Sequence, residues 1–424
     1  MTNNKIPAIF FKEEDLENLY TSVDNQVKIP TNQTHYAFES KENLKNFINN
    51  QFPNEKDLKK YKEYRNAWHQ RAKNFTPGDF PLAVCAELVS TCDLSCSMCY
   101  TITKEFKNTV VGAQRMLPWK IVKNIINECA ELGVYSILFS WRGEPALYRD
   151  IDENGEEINL PKVLKYARQK GILEITTLTH GQLIDEKMAH EIVDAEPSWI
   201  SFSFDGIKEN YNAIRTPTKY QGKSYDAFSA VTKNIKRLVE IRNSKNKKRP
   251  QIRSNAIYPA IADNPMDYYN TLKDYGVDMV TVNELLDLRG GKPLDEMINM
   301  DWACQYPFQR LTVSANGVIL PCTGAHKEES GLVLGLYEGS QEKKLRNVDG
   351  SFQKIKLPFH NIKSAWKCEK LQKIRYLHAN GRRCEIEPGC RNCNHGIKKF
   401  GAKRVHTNEW NLITQNWNTD IRHG

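Results

Sequence analysis

The most specific chemistry in this sequence is carried by nine residues, Cys92-Asp93-Leu94-Ser95-Cys96-Ser97-Met98-Cys99-Tyr100. Three thiols stand in C-x3-C-x2-C spacing, and an aromatic residue closes the run. A structural zinc site wants four Cys or His ligands. Three clustered thiolates suit instead a cubane iron–sulfur cluster that keeps one iron without a protein ligand. A zinc knuckle and three unrelated buried thiols are the alternatives that the triplet leaves open.

Elements able to position this loop begin near residue 81. Apolar runs predict strands over 82–89, 134–140, 172–178, 199–204, 251–258 and 279–283. Helical periodicity fills the gaps over 118–132, 160–170, 184–193, 227–239 and 265–275. In the first of these helices Pro118 sits at a tolerated first-turn position. Ile121, Val122, Ile125, Ile126 and Cys129 share one face there, which makes Cys129 a core thiol. Six β-α steps predict an α/β fold built on a parallel sheet with helical crossovers. Periodicity does not say whether that sheet is open or curls into a barrel. The cysteine run is the loop after the first strand, and Cys85 lies on that strand, facing a side that the sequence does not fix.

Further polar motifs follow later strands. After the second comes Trp141-Arg142-Gly143-Glu144-Pro145, in which Gly143 permits close backbone approach and Glu144 supplies an acceptor for an ammonium group. Thr179-His180-Gly181 follows the third strand, and His180 is either a ligand or a polar turn residue. Ser203 and Asp205-Gly206 end the fourth strand, with Arg215 shortly downstream. Asn255 and Asn283 lie on the fifth and sixth strands, facing either a ligand or backbone groups.

The cysteine spacing and the order of these motifs resemble the radical S-adenosylmethionine (radical SAM) superfamily. The resemblance implies a partial (βα)6 TIM-type barrel. It implies that Cys92, Cys96 and Cys99 ligate a catalytic [4Fe–4S] cluster whose free iron is chelated by S-adenosylmethionine. It places Tyr100 near the adenine, Gly143 and Glu144 at the methionyl amino group, Ser203 at the ribose and Arg215 at the carboxylate. The first glycine of the family's Gly-Gly-Glu-Pro motif is Arg142 here, and relatives often have Thr-Asn-Gly where this chain has His180.

Past residue 300 the β-α rhythm stops and cysteines return. Stretches 310–315 and 318–321 flank Asn316-Gly317, a strong hairpin signal. Cys304 precedes this hairpin, Cys322 ends it, and Cys384, Cys390 and Cys393 come later, after the segment 361–366 and a short helix. The set Cys304, Cys322, Cys390 and Cys393 resembles the Twitch extension, a shortened relative of the SPASM domain, and so implies a second, auxiliary [4Fe–4S] cluster. Zinc on the same four thiolates is the alternative. Cys368 and Cys384 read as structural thiols, although Cys384 could replace one of the four ligands or return a hydrogen atom to a substrate.

Composition sets the remaining bounds. Eleven cysteines, an odd count, point away from a disulfide framework and towards metal ligands or thiols in a reducing compartment. No apolar run reaches the roughly 18 residues that a membrane span needs, and no signal peptide opens the chain, which predicts a soluble, cytoplasmic protein. The net charge of +9 leans towards an anionic partner. Part of that excess, in the run 242–249, reads as a solvated loop. The expected division is a mostly helical N-terminal extension over 1–80, with helices at 41–50 and 55–73, a core barrel over 81–298, a smaller hairpin-and-helix iron–sulfur domain over 299–400 and a tail over 401–424.

The resemblance implies an oxidoreductase or epimerase. Reductive cleavage of S-adenosylmethionine would give a 5′-deoxyadenosyl radical that takes a hydrogen atom from substrate. The substrate expected is a sugar, a nucleotide sugar or a similar polar metabolite, with a ribosomally made peptide as the alternative. An electron donor such as flavodoxin or ferredoxin would be a partner. A non-catalytic iron–sulfur or zinc protein that binds nucleic acid is the reading from another class.

Overall fold

The structure is a computed structural model that describes residues 41–110, 114–257, 260–261, 264–283, 303–346, 351–391, 393, 402–406 and 411–415. Two helices, α1 (Lys41–Gln51) and α2 (Glu55–Asn74), lead into strand β1 (Ala83–Ala86). Then come α3 (Trp119–Leu132), β2 (Ser136–Leu138), β3 (Arg149–Ile151), β4 (Glu157–Asn159), α4 (Leu160–Gln169), β5 (Glu174–Thr179), α5 (Glu186–Ala195) and β6 (Trp199–Ser203). Next are α6 (Lys208–Arg215), α7 (Ala227–Ser244), β7 (Gln251–Ile257), α8 (Pro265–Asp274) and β8 (Met279–Asn283). The C-terminal part adds β9 (Arg310–Val313), β10 (Val318–Leu320), β11 (Gly335–Tyr337), β12 (Lys343–Arg346), β13 (Phe352–Ile355), β14 (Phe359–His360), α9 (Ile362–Lys367) and α10 (Glu369–Ala379).

Strands β1, β2, β5, β6, β7 and β8 pair in that order and all run parallel, each joined to the next through at least one helix. The order never reverses, as in a (βα) barrel, yet β8 does not close onto β1. The free edge of β1 pairs instead with β9, again in parallel, and β10, β11 and β14 extend the same sheet. The C-terminal hairpin is thus hydrogen-bonded directly to the strand that carries the cysteine loop. Val313 pairs with Ala86, six residues before Cys92.

Apolar alternation explains the packing. Val84 and Ala86 join Ile121, Val122, Ile125 and Ile126 of α3 in a core that also holds Leu311, Ile319, Leu336 and Trp366. Cys85 points to the other face, where its thiol reaches the Ser140 carbonyl at 3.2 Å. Cys129 is fully buried in the α3 core, as its helical face requires. That helix begins one residue later than its pattern suggests, with Pro118 as N-cap, and ends at Gly133, whose φ of +79° takes the left-handed conformation that glycine favours. A second core, with Phe202, Ile235, Leu238, Ile252 and Leu272, fills the later half of the sheet.

Helices α1 and α2 cover one end of the strands. Phe47, Phe52, Tyr61, Tyr64 and Trp68 pack on Leu82, Leu173, Trp199 and Met279, which open or precede β1, β5, β6 and β8. The N-terminal segment therefore seals the end of the barrel opposite the loops. The basic run 242–249 is a loop only from Lys245 onward, with Lys245, Asn246 and Lys248 exposed as its composition suggests and Arg242 buried on the preceding helix. Helix α7 continues through Ser244, Arg242 is buried against Asp278, and Lys245 and Lys247 pair with Asp194 and Glu196. These three charges have acceptors outside the run that the local pattern does not reveal. The hairpin β3–β4 was likewise hidden, because two three-residue strands carry too little periodicity to register. Within the expected tail, 402–406 and 411–415 pair as an antiparallel hairpin.

Candidate active site

The loop after β1 carries Cys92, Cys96 and Cys99 at the C-terminal edge of the parallel strands, where sites form in folds of this type. Cys96 is buried and the other two thiols are half-buried. A short turn shapes the loop, with the Cys99 amide donating to the Cys96 carbonyl at 2.9 Å. The Leu94 amide donates to the Cys92 sulfur at 3.4 Å, and Cys99 sulfur lies 3.0 Å from the Thr101 hydroxyl. Burial pushes the Cys92 thiol well up, with Glu144, Asp93 and Cys96 adding to it. Burial also raises Cys96; Arg215 opposes that rise and Cys99 adds to it. Cys92 and Cys96, both pushed up by burial, are favoured as thiolates by a nearby cation, and iron supplies one. The donor set thus fits an iron–sulfur cluster.

Glu144 is 2 % exposed. Its Oε1 accepts from the Ala146 amide (2.9 Å) and the Thr179 hydroxyl (2.6 Å), and its Oε2 accepts from the His180 amide (2.8 Å). The His180 Nε2 also stands 3.4 Å from Oε2. His180 does not stand free as a ligand. Its Nδ1 accepts from the Gln182 amide, which puts the ring proton on Nε2, 2.9 Å from Asp93 Oδ1. Burial opposes protonation of this imidazole, but Glu144 and Asp93 outweigh it and raise its affinity for a second proton. Cys92, Asp93 and His180 place one ligand atom each within 4.8 Å of one another.

Arg215, at the end of α6, directs Nε (2.8 Å) and Nη2 onto Asp205 Oδ2, while Asp205 Oδ1 accepts from the Ile257 amide. Among the described residues Nη1 has no hydrogen-bond partner, which leaves it for a ligand carboxylate. Ser203 is half-buried at the end of β6, in register with Asn255 of β7. The Asn283 side chain lies outside the described residues. Tyr100 packs edge-on against Phe106 with ring centroids 5.5 Å apart, and Lys327 stands 5.6 Å over its ring.

Arg142 has a place that its motif does not announce. Its side chain is 1 % exposed and pairs with Glu87 (2.7 Å) and Glu328 (2.9 Å). Burial disfavours that charge, but the two carboxylates outweigh it and hold the guanidinium protonated. The guanidinium also lies 4.0 Å over the Trp141 ring.

The four C-terminal cysteines converge as well. Burial, then Cys393, pushes the Cys304 thiol up to about 12. Burial likewise raises Cys322 and Cys390 well above a free thiol, and each also feels Cys304 and Cys393. His378, fully buried on α10, joins two of them: its Nδ1 accepts from the Cys304 amide (3.1 Å), and its Nε2 lies 3.4 Å from Cys390 sulfur. Burial and Arg383 hold this imidazole neutral, with a pKa lowered to about 3. Cys384 is buried, and Cys368 joins α9 to α10. Sequence reasoning missed His378 and the partners of Arg142, because each acts through residues distant along the chain.

Residues 87–242 match the family model of the radical SAM superfamily. That match spans 156 of the chain's 424 residues, and over them the chain is similar to that superfamily. Its sequence is 33% identical over 126 residues to the Fe-coproporphyrin III synthase of Methanosarcina barkeri. That alignment covers 29% of this chain and 27% of the synthase, so the likeness spans only about a quarter of that relative's length. Among solved structures, the chain is similar to native anSMEcpe with bound AdoMet, at 15% identity and TM-score 0.48 over 75% of this chain and 89% of that one. It is also similar to Streptococcus suis SuiB (15% identity, TM-score 0.46, 77% and 72% covered) and to BtrN in complex with AdoMet and 2-DOIA (14%, 0.40, 74% and 92%). Among the described residues, no helix is long and apolar enough to cross a membrane.

Proposed function

We propose that this protein is a radical SAM enzyme with one catalytic and one auxiliary [4Fe–4S] site, oxidising or epimerising a sugar or similar polar metabolite. The observation that carries the reading is the convergence of two separate thiol sets, Cys92/Cys96/Cys99 in the loop after β1 and Cys304/Cys322/Cys390/Cys393, of which Cys304 and Cys322 flank the β9–β10 hairpin that pairs with β1. Bound together, a [4Fe–4S] cluster and S-adenosylmethionine supply a 5′-deoxyadenosyl radical that can take a hydrogen atom from an unactivated C–H bond.

The chain's own residues do the rest. Cys92, Cys96 and Cys99 would hold the cluster. Glu144, fixed by three hydrogen bonds, would orient the ammonium of S-adenosylmethionine, and Arg215, steered by Asp205, would take its carboxylate. Tyr100 and Ser203 would line the adenosyl side. Helices α1 and α2 close the far end of the barrel and keep bulk water from that side.

The test of substrate class is formation of 5′-deoxyadenosine by the anaerobically reconstituted protein with S-adenosylmethionine and dithionite. Panels of nucleotide sugars and of ribosomal precursor peptides are added in turn. Stimulation by a nucleotide sugar, with a two-electron-oxidised or epimerised product, supports the proposal. Stimulation by peptides alone replaces it with peptide maturation.

A further inference from the structure

Trp141 and Arg142 immediately precede Gly143-Glu144, and they also grip the segment that follows Cys322. The Trp141 indole N–H donates to the Thr323 carbonyl at 2.9 Å, and its ring lies 5.3 Å from that of His326. Arg142 Nη1 donates to the His326 carbonyl at 3.2 Å, and Nη2 reaches Glu328. On the other side Glu87 takes the Arg142 amide and Nε, both at 3.0 Å, and its second oxygen accepts from the Ala315 amide in the β9–β10 turn. Glu328 is held further by Asn316 (3.1 Å) and Lys343.

No member of this chain can shift alone. A buried guanidinium that leaves either carboxylate strands an uncompensated charge, a heavily penalised state. Arg142 continues into Gly143, which packs against the backbone of Val89–Thr91, and into Glu144, whose amide donates to the Thr91 carbonyl at 2.9 Å. Thr91 adjoins Cys92, and Thr323 adjoins Cys322. The two thiol sites are thus joined by two short covalent segments and one buried charge cluster.

We infer that Arg142 is a positioning residue through which the state of the Cys322 site sets the affinity of the Glu144 site for S-adenosylmethionine. The inference rests on the proposed function and deepens it. When the second site is filled, Thr323 and Glu328 are fixed, and the Trp141–Glu144 segment is fixed with them. When it is empty, that restraint is lost, and the ammonium acceptor at Glu144 is held less well.

The test is a double-mutant cycle on the full-length, anaerobically reconstituted protein, with S-adenosylmethionine affinity read by equilibrium dialysis and iron counted in every sample. The four proteins are the unmodified chain, Cys390→Ala/Cys393→Ala, Glu328→Gln, and the combination. Glu328→Gln keeps the Arg142–Glu87 pair. Emptying the second site should weaken binding by about fivefold or more, the lower range of allosteric coupling. In the Glu328→Gln background the same replacement should change affinity by less than about twofold, the scatter of independent sites. Equal effects in both backgrounds, or no effect in either, would overturn the inference. Should Glu328→Gln fail to fold, Trp141→Phe, which removes the indole N–H and shrinks the ring but keeps an aromatic face, takes its place under the same criteria. A native protein that binds neither iron nor S-adenosylmethionine would sink the proposed function itself, an outcome distinct from an absent coupling.

Discussion

Gly143 lies so close to Thr91 that a Cβ added to it would stand 2.6 Å from the Thr91 carbonyl oxygen. The glycine is needed there by the protein's own backbone, whatever ligand approaches its other side. Gly143→Ala must push the Val89–Thr91 segment, and with it Cys92, out of register. Overpacking of this kind costs about 1–3 kcal/mol. The expected outcome is a lower melting temperature together with reduced iron retention, read by thermal denaturation and iron assay. Unchanged iron and melting would show that the segment yields without moving the cysteines.

Arg215 is oriented by Asp205 through Nε and Nη2, and its proposed role is to bind the ligand carboxylate. Lysine lacks the planar fork and cannot hold Asp205 and a carboxylate in the same way. Losing one charge-assisted hydrogen bond of about 1.5–3 kcal/mol should weaken S-adenosylmethionine binding about tenfold or more in Arg215→Lys. Iron content should be unchanged. Equilibrium dialysis checks the affinity, and wild-type binding by the variant would remove Arg215 from the site.

How much of this was legible in the sequence follows from the range over which each residue acts. The cysteine sets could be read because ligand spacing is local at Cys92–Cys99 and at Cys390–Cys393. The strand order could be read because each β-α step repeats within a few dozen residues. Arg142 could not, since its partners Glu87 and Glu328 lie 55 and 186 positions away. At the motif level it registered only as a missing glycine. Likewise, the stripe on α2 announces a buried face without saying that the face covers the N-terminal end of the strands. The pairing of β9 with β1 was hidden because a hairpin signal fixes its own two strands and not the edge they join.

Glu329 offers a measurement of pH dependence. Its Oε2 is buried without a hydrogen-bond partner. Burial raises its pKa above the usual carboxylate value, Lys327 opposes the rise, and Glu328 and Glu105 add to it. A raised carboxyl pKa means that the folded state binds the proton more tightly than the unfolded state. Its contribution to stability is present below the unfolded pKa, near 4.5, and is lost as pH rises through the folded pKa. Glu329→Gln should therefore melt higher than the native chain at neutral pH, with the gap closing as pH falls towards 4.5. A variant less stable at every pH would show that the charged form is stabilised by a contact.

Trp68 anchors α2 to the strands, buried beneath Arg65 and Arg310. Trp68→Ala should cost about 3–5 kcal/mol, the range for large aromatic deletions in cores. Urea denaturation of the apoprotein measures it. A loss below about 1 kcal/mol, the level of an exposed site, would mean that the N-terminal helices do not close the barrel.

The central claim is that two distinct thiol sets hold two iron–sulfur clusters and that only the first supports S-adenosylmethionine cleavage. It is tested by counting iron and sulfide, and by measuring 5′-deoxyadenosine after adding S-adenosylmethionine and dithionite, in three anaerobically reconstituted proteins. These are the native chain, Cys92→Ala/Cys96→Ala/Cys99→Ala, and Cys304→Ala/Cys322→Ala/Cys390→Ala/Cys393→Ala. The account predicts about eight irons with cleavage, about four without, and about four with cleavage retained, at four irons per cubane. Tightly bound zinc with no cleavage in the native chain, or cleavage that survives loss of the first three cysteines, would contradict it.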